Sequence, residues 1–268
     1  MESEIGGATA TPRGRLPRLL ARSLFYVALP LALVLTNVRF AFSEQRVYQY
    51  SIDQYDVAGV THIPHTDLIA ATNDLRAYFT NDEQYLRTRV HDPAGNVVPL
   101  FNAKEVSHMH DVKQVVRVVY GLELLAVGVL AAYVVGAVLW AQEESLLTLA
   151  RRARRGALAT VVALLAFGGV TAAGGFDSAF IWFHQRVFNN NDWQLDPLRD
   201  HLVQMFPEGF WLDATVLISA LTLLEVALIG GVATLCLRRH GAPQQSAAAP
   251  TAAREDEERQ PEVAQTVG

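Results

Sequence analysis

Cysteine is nearly absent from this 268-residue sequence. Cys236 stands alone, which excludes an internal disulfide framework and any metal site built on several thiolates. Charge is scarce too, at 18 % Asp, Glu, Lys and Arg, and the net charge of −5 supplies no basic footprint for nucleic acid. No G-x-S-x-G occurs, so the serine nucleophile of a strand-to-helix elbow is missing. The absence of a repeat with a period of roughly 20–50 residues argues against a solenoid. What the chain has is apolar mass, 51 % of its residues, gathered in blocks rather than spread periodically. That pattern excludes both a wholly disordered chain and an ordinary soluble enzyme.

Four blocks stand out, at 23–42, 115–141, 156–175 and 214–237. Each suits a membrane helix, which needs roughly 20 residues to cross the hydrocarbon. Arg13, Arg15, Arg18 and Arg22 precede the first block in the manner of a signal peptide. Its apolar run is too long for a signal h-region, so a retained helix is expected, kinked at Pro30. Arginines set the orientation. The first four, then Arg151, Arg152, Arg154 and Arg155 in the 142–155 connection, then Arg238 and Arg239, fall on one side of a four-span layout. That side is cytoplasmic by the positive-inside rule, with both termini inside. The tails, 1–22 and 238–268, read as disordered; the second is rich in Ala, Pro, Gln and Glu.

Segments 43–114 and 176–213 are left outside, together enough for a small domain. Leu68, Ile69, Thr72, Leu75, Tyr78 and Phe79 recur at helical spacing, so Thr66–Phe79 should be an amphipathic helix docked on something apolar. Val47–Ile52 has strand character. The expected fold is an all-α membrane protein, four transmembrane helices carrying a small extracytoplasmic α(+β) cap.

Two stretches carry candidate chemistry. In the first, Asn102 and Glu105 form a capping-box pattern, so a helix should start at Ala103 and run unbroken into the second span. His108 then sits roughly 10 Å above the apolar run. Glu105 and Asp111 lie one turn either side of it, an acid–imidazole–acid face. The second stretch follows the third span. It sets His184, Asn190, Asp192, Asp196 and Asp200 among Trp182, Phe183, Phe188, Trp193, Phe206, Phe210 and Trp211. An interfacial aromatic belt accounts for many of the rings but not for the polar groups between them. Asp196 and Pro197 read as the start of a short helix. A carboxylate on either imidazole would fix its tautomer, with Glu105 the leading partner for His108.

Other schemes fit poorly. His108 and His110 point apart on a helix, and His62 and His65 flank Pro64, so no metal site is assigned and no cofactor is implied. Ser107 is turned away from its neighbour His108. Glu123 and Glu225, inside spans two and four, pair with Asn37 or Arg39 or have a function of their own.

The stretch Leu100-Phe101-Asn102-x-x-Glu105-x-x-His108-Met109-x-Asp111-Val112-Lys113 resembles a motif of the lipoprotein intramolecular transacylase family of bacterial membrane proteins. Phe183-His184-x-x-x-Phe188-x-Asn190-x-x-Trp193-x-Leu195-Asp196-Pro197-x-x-Asp200 resembles a second. The resemblance implies two catalytic histidines, His108 and His184, at the cap–membrane junction; the residues around them place Glu105, Asp111, Asn190, Asp192, Trp193, Asp196 and Asp200 as their expected support. It implies diacylglyceryl lipoproteins and membrane lipid as partners. The α-amine of the lipidated cysteine would attack the sn-2 ester of the same molecule, giving a lyso-lipoprotein, with Asn190 or a backbone amide on the oxyanion. A non-enzymatic multi-pass membrane partner and a metal-dependent membrane hydrolase are the competing readings.

Overall fold

The computed structural model describes residues 15–139 and 143–240. Four long helices dominate: α1 Arg15–Ser43, α5 Ala103–Leu139, α6 Glu143–Gly174 and α9 Glu208–His240. All four are long and apolar enough to cross a membrane. Of the tails expected to be disordered, residues 15–22 are instead the first turns of α1 and 238–240 the end of α9, since both continue an apolar helix with good helix formers; residues 1–14 and 241–268 lie outside the described residues. Between α1 and α5 lie α2 Gln45–Gln54, α3 Val57–Thr61, α4 His65–Tyr78 and the antiparallel hairpin β1 Arg89–His91 with β2 Val97–Pro99. Between α6 and α9 lie α7 Phe176–Val187 and α8 His201–Met205.

Helix α1 is the axis of the bundle and packs on α5, α6 and α9, while α6 packs along α9. Small residues permit the close approach. Ala28 and Ala32 of α1 meet Ala126 of α5, and a Cβ on Gly156 would come within 2.6 Å of Leu29 Cδ2. Side chains facing away from these contacts are apolar and bare, Leu165 at 67 % and Val170 at 72 % exposure. Such a surface belongs in lipid. The chain is a multi-pass membrane protein.

Both intramembrane carboxylates of the bundle are paired, although the Tyr26 and Tyr120 hydroxyls are buried without a partner among the described residues. Arg39 Nη1 meets Glu123 Oε2 at 3.1 Å, and Thr36 donates to Glu123 Oε1 at 3.3 Å. Asn37 Nδ2 donates to Thr222 at 3.1 Å and to Glu225 Oε2 at 3.0 Å. Glu123 and Glu225 thus join α1 to α5 and to α9.

Helix α5 has 37 residues, about 55 Å at 1.5 Å per residue. A hydrocarbon layer about 30 Å thick leaves its first turns standing clear. They meet the cap, whose core gathers Ile52, Val57, Leu68, Leu75, Tyr78 and Val90 with Met109 of α5 and Met205 of α8. Helix α4 covers the expected amphipathic stretch.

Three local expectations are corrected. Val47–Ile52 is helical in α2, because Tyr48, Ser51 and Ile52 bury one helical face. Residues 143–155 are the first turns of α6 rather than a loop, since Arg, Ala and Leu are good helix formers and no Gly or Pro interrupts them. The short helix begins at His201, not at Pro197. Residues 196–200 form a turn in which Arg199 and Asp200 both donate to the Asp196 carbonyl.

Candidate active site

The start of α5 sets the site's outer wall. Asn102 Oδ1 accepts from the amides of Lys104 (2.9 Å) and Glu105 (3.1 Å), and Glu105 Oε2 accepts from the Asn102 amide at 2.8 Å. This is the expected reciprocal cap. Glu105 has a second role. Its Oε1 accepts from the Leu202 amide at 2.6 Å, satisfying an open donor in the first turn of α8. Only 1 % exposed, Glu105 has both oxygens committed to backbone amides. It is not bonded to His108, and among the described residues no carboxylate bonds to either His108 or His184. The expected carboxylate–imidazole pairing is therefore corrected: the local acids are taken by stronger tasks.

One turn further along, His108 faces His184 of α7. Their ring centroids are 5.9 Å apart at 37°. Phe188 lies 4.9 Å from the first ring and 5.4 Å from the second. Phe180, Phe183 and Trp193 surround His184 at 4.1, 5.3 and 5.3 Å. Both imidazoles are buried. The sequence separation of 76 residues (184 − 108) closes because each histidine stands where a span meets the cap.

His184 Nδ1 is 2.8 Å from the Phe180 carbonyl oxygen, four residues back on α7. A carbonyl only accepts, so Nδ1 carries the proton and, in the neutral ring, Nε2 carries the lone pair. Burial holds the His184 pKa below the ordinary imidazole value, while the bond to Phe180 pulls the other way. His184 Nε2 has no hydrogen-bond partner among the described residues. His108 Nδ1 is buried without a partner.

The loop after α7 is stitched to one face of α5. Lys104 Nζ donates to the Gln194 carbonyl. Ser107 donates to Asp192 Oδ2 at 2.7 Å. Asp111 Oδ2 accepts from Asn190 Nδ2 at 2.7 Å. Positions 104, 107 and 111 share a helical side, so these ties hold Trp193 and Phe188 against the imidazoles. Asp200 accepts from Asn102 Nδ2 (2.8 Å) and from the Asp196 amide (2.7 Å). Asp196 itself accepts from the Leu198 amide at 2.9 Å. Of the expected acids, Asp111 and Asp192 anchor this loop, whereas Asp196 and Asp200 organise the turn before α8. The Asn190 side chain, expected on the oxyanion, spends one of its two N–H groups on Asp111.

Lys104, Ser107 and Phe180 are absent from the expected set. Ser107 does turn away from His108, and that direction is what brings it to Asp192. No group of three or more His, Cys, Asp or Glu side chains is placed to hold a metal ion among the described residues.

The arrangement can move protons: a neutral imidazole with a free lone pair, a second imidazole beside it, and an aromatic wall. Comparison with known proteins identifies its relatives. A family model described as lipoprotein intramolecular transacylase Lit matches residues 23–211. Among curated proteins none matches the chain. A structure of the membrane-integral lipoprotein intramolecular transacylase Lit from Bacillus cereus superposes with a TM-score of 0.64 and 17 % identity, covering 84 % of this chain and 98 % of that one. A form of that protein with a histidine-to-alanine substitution gives a TM-score of 0.66 and 17 % identity, over 85 % of this chain and 96 % of that one. The structures share the fold, and the family match takes in both histidine motifs and well over half of the sequence: the chain belongs to the lipoprotein intramolecular transacylase family.

Proposed function

We propose that this chain carries out its family's reaction, an intramolecular acyl transfer within a lipoprotein, with His184 as base and His108, whose pKa burial and the neighbouring His184 push down to about 4, as a neutral relay that passes the proton to the leaving oxygen. The substrate is a lipoprotein whose N-terminal cysteine bears a diacylglyceryl group. Its α-amine nitrogen attacks the sn-2 ester carbonyl. The C–N bond forms and the C–O bond to glycerol breaks. His184 Nε2 takes the amine proton, and a proton passes from it through the adjacent His108 ring to the glycerol oxygen, so that both imidazoles end neutral.

The observation that carries this reading is the His184 bond to the Phe180 carbonyl, which leaves Nε2 with the lone pair beside a second imidazole. The ring closed in the attack has about eight atoms, so ordering the substrate is a large part of the barrier and a confining site can remove it. Phe180, Phe183, Phe188 and Trp193 wall off water, which would otherwise compete with the amine for the ester. Lys104, Ser107 and Asp111 position the loop that brings Trp193 and Phe188 into that wall.

Orientation follows from the same reading. The arginines of α6 and the end of α9 lie on the cytoplasmic side, and the cap and both histidines face outward, where exported lipoproteins are found.

The test is mass spectrometry of the N-terminal peptide of a reporter diacylglyceryl lipoprotein incubated with the purified chain. Loss of one ester-linked acyl chain with gain of an N-acyl group is expected from the wild type. His108→Ala and His184→Ala should each leave the reporter unchanged. Full conversion by either variant would remove that histidine from the mechanism.

A further inference from the structure

The two sides of the histidine pair differ in chemistry. Exposed apolar side chains stand on α7 at Ile181, Trp182 and Phe183. Toward water, a cavity of about 360 Å³ opens over Phe188 and Trp193, the same rings that contact the imidazoles. That volume is within the range of small-ligand sites. Its rim is made of carboxamides: Gln185 from the last turn of α7, then Asn189, Asn190 and Asn191, then Gln194. No charged residue lines it. Asn190 is committed to Asp111 and to the Asp192 amide. The side chains of Gln185, Asn189, Asn191 and Gln194 make no hydrogen bond among the described residues. The backbone around them is fixed by the ties to Lys104, Ser107 and Asp111, so the free carboxamides are presented from a held loop.

A carboxamide is a peptide group on a side chain: it has both a donor and an acceptor. It therefore pairs with backbone N–H and C=O whatever the residue. A charged rim would select particular side chains; this rim selects the feature that all peptides share. We propose that the cavity is a subsite for the peptide backbone that follows the lipidated cysteine, gripped by Asn189, Asn191, Gln185 and Gln194 without regard to sequence. The inference rests on the acyl-transfer reading and adds to it the polar half of the substrate. The lipid half lies against the apolar side of α7, and the reacting cysteine sits between the two at the imidazoles.

The test uses the full chain in lipid nanodiscs and diacylglyceryl-cysteine ligands whose α-amine is acetylated, so that they bind without reacting. One ligand is the cysteine amide; the other continues for four residues. The longer ligand should bind about tenfold more tightly or better, the effect of one or two added hydrogen bonds. Exchanging its four side chains should leave the gain in place, whereas N-methylation of the four backbone nitrogens should abolish it. The double variant Asn189→Ala with Asn191→Ala should bind both ligands as the wild type binds the cysteine amide. Equal affinity of the wild type for both lengths overturns the proposal. So does a gain that follows the side chains, or a double variant that keeps the wild-type gain. Transfer in the free-amine ligand is measured separately. A length-dependent affinity without transfer supports the subsite and counts against the acyl-transfer reading.

Discussion

His184 donates a hydrogen bond from Nδ1 to the Phe180 carbonyl, and in the proposed mechanism it takes the substrate's proton at Nε2, so its protonation state should govern activity. Burial holds its pKa below the ordinary imidazole value of about 6.5. NMR titration of the His184 ring should therefore give a pKa below about 6.5, and a value above that would contradict the assignment. The sign for stability follows from the same shift. The buried neutral ring contributes fully above about pH 6.5, and the contribution is lost as pH falls through the lower folded-state value. His184→Ala should lower kcat by roughly 10²–10⁴-fold, the ordinary worth of acid–base catalysis. Glu105 behaves differently. Both of its oxygens accept from backbone amides, and Gln has only one acceptor oxygen. Glu105→Gln should cost about 1–3 kcal/mol of stability in thermal unfolding and leave the pH profile of activity unchanged. An altered profile with unchanged stability would restore Glu105 to the chemistry. The capping role was legible in the Asn102–Glu105 spacing. The bond to Leu202 was not, because a backbone amide 97 positions away leaves no mark in the side-chain pattern.

Helices α2 and α9 meet through a pair of tyrosines. Tyr50 and Tyr55 each donate to Asp213 Oδ2 at 2.8 Å. Gly209 makes room for the second: a Cβ there would lie 2.7 Å from the Tyr55 hydroxyl. Gly209→Ala should displace Tyr55 from Asp213 and lower stability by about 1 kcal/mol. Tyr55→Phe should cost a similar amount, and Gly209→Ala added to Tyr55→Ala should cost little more than Tyr55→Ala alone, since removing the ring leaves room for the Cβ. Additive losses would show that Gly209 acts elsewhere. Element by element, the long apolar blocks and the helix from Ala103 into the second span could be read from composition and a cap. Val47–Ile52 could not. Val47-Tyr48-Gln49-Tyr50-Ser51-Ile52 alternates well enough for a strand, and only packing against Met205 and Phe206 selects the helical face. The Asp196-Pro197 start failed for a related reason. Asp200 reaches back to the Asp196 amide and outward to Asn102, which holds the segment in a turn.

The molecule as a whole is four spans with the histidine pair at one end, beside the cap. With Cys236 replaced by serine, cysteines introduced at Asp82 and Leu198, both fully or nearly fully exposed, should react with an impermeant thiol reagent in intact cells. One at Arg154 should react only after lysis; labelling of Arg154→Cys in intact cells would invert the topology. The shared location of His108 and His184 was legible because each stands at the edge of an apolar block. Their aromatic wall was legible only as a density of rings, since a belt and a pocket use the same residues. The central claim is that the acyl chain moves within one lipoprotein molecule, with no acyl-enzyme and no exchange between substrates. A crossover experiment tests it most directly. One lipopeptide carries deuterated acyl chains on a light peptide, and another carries ordinary chains on an isotopically heavy peptide. Incubated together with the wild-type chain, they should yield N-acylated products in which the label of the acyl chain always matches that of its peptide. Products that pair a deuterated chain with a heavy peptide would show transfer between molecules and contradict the account.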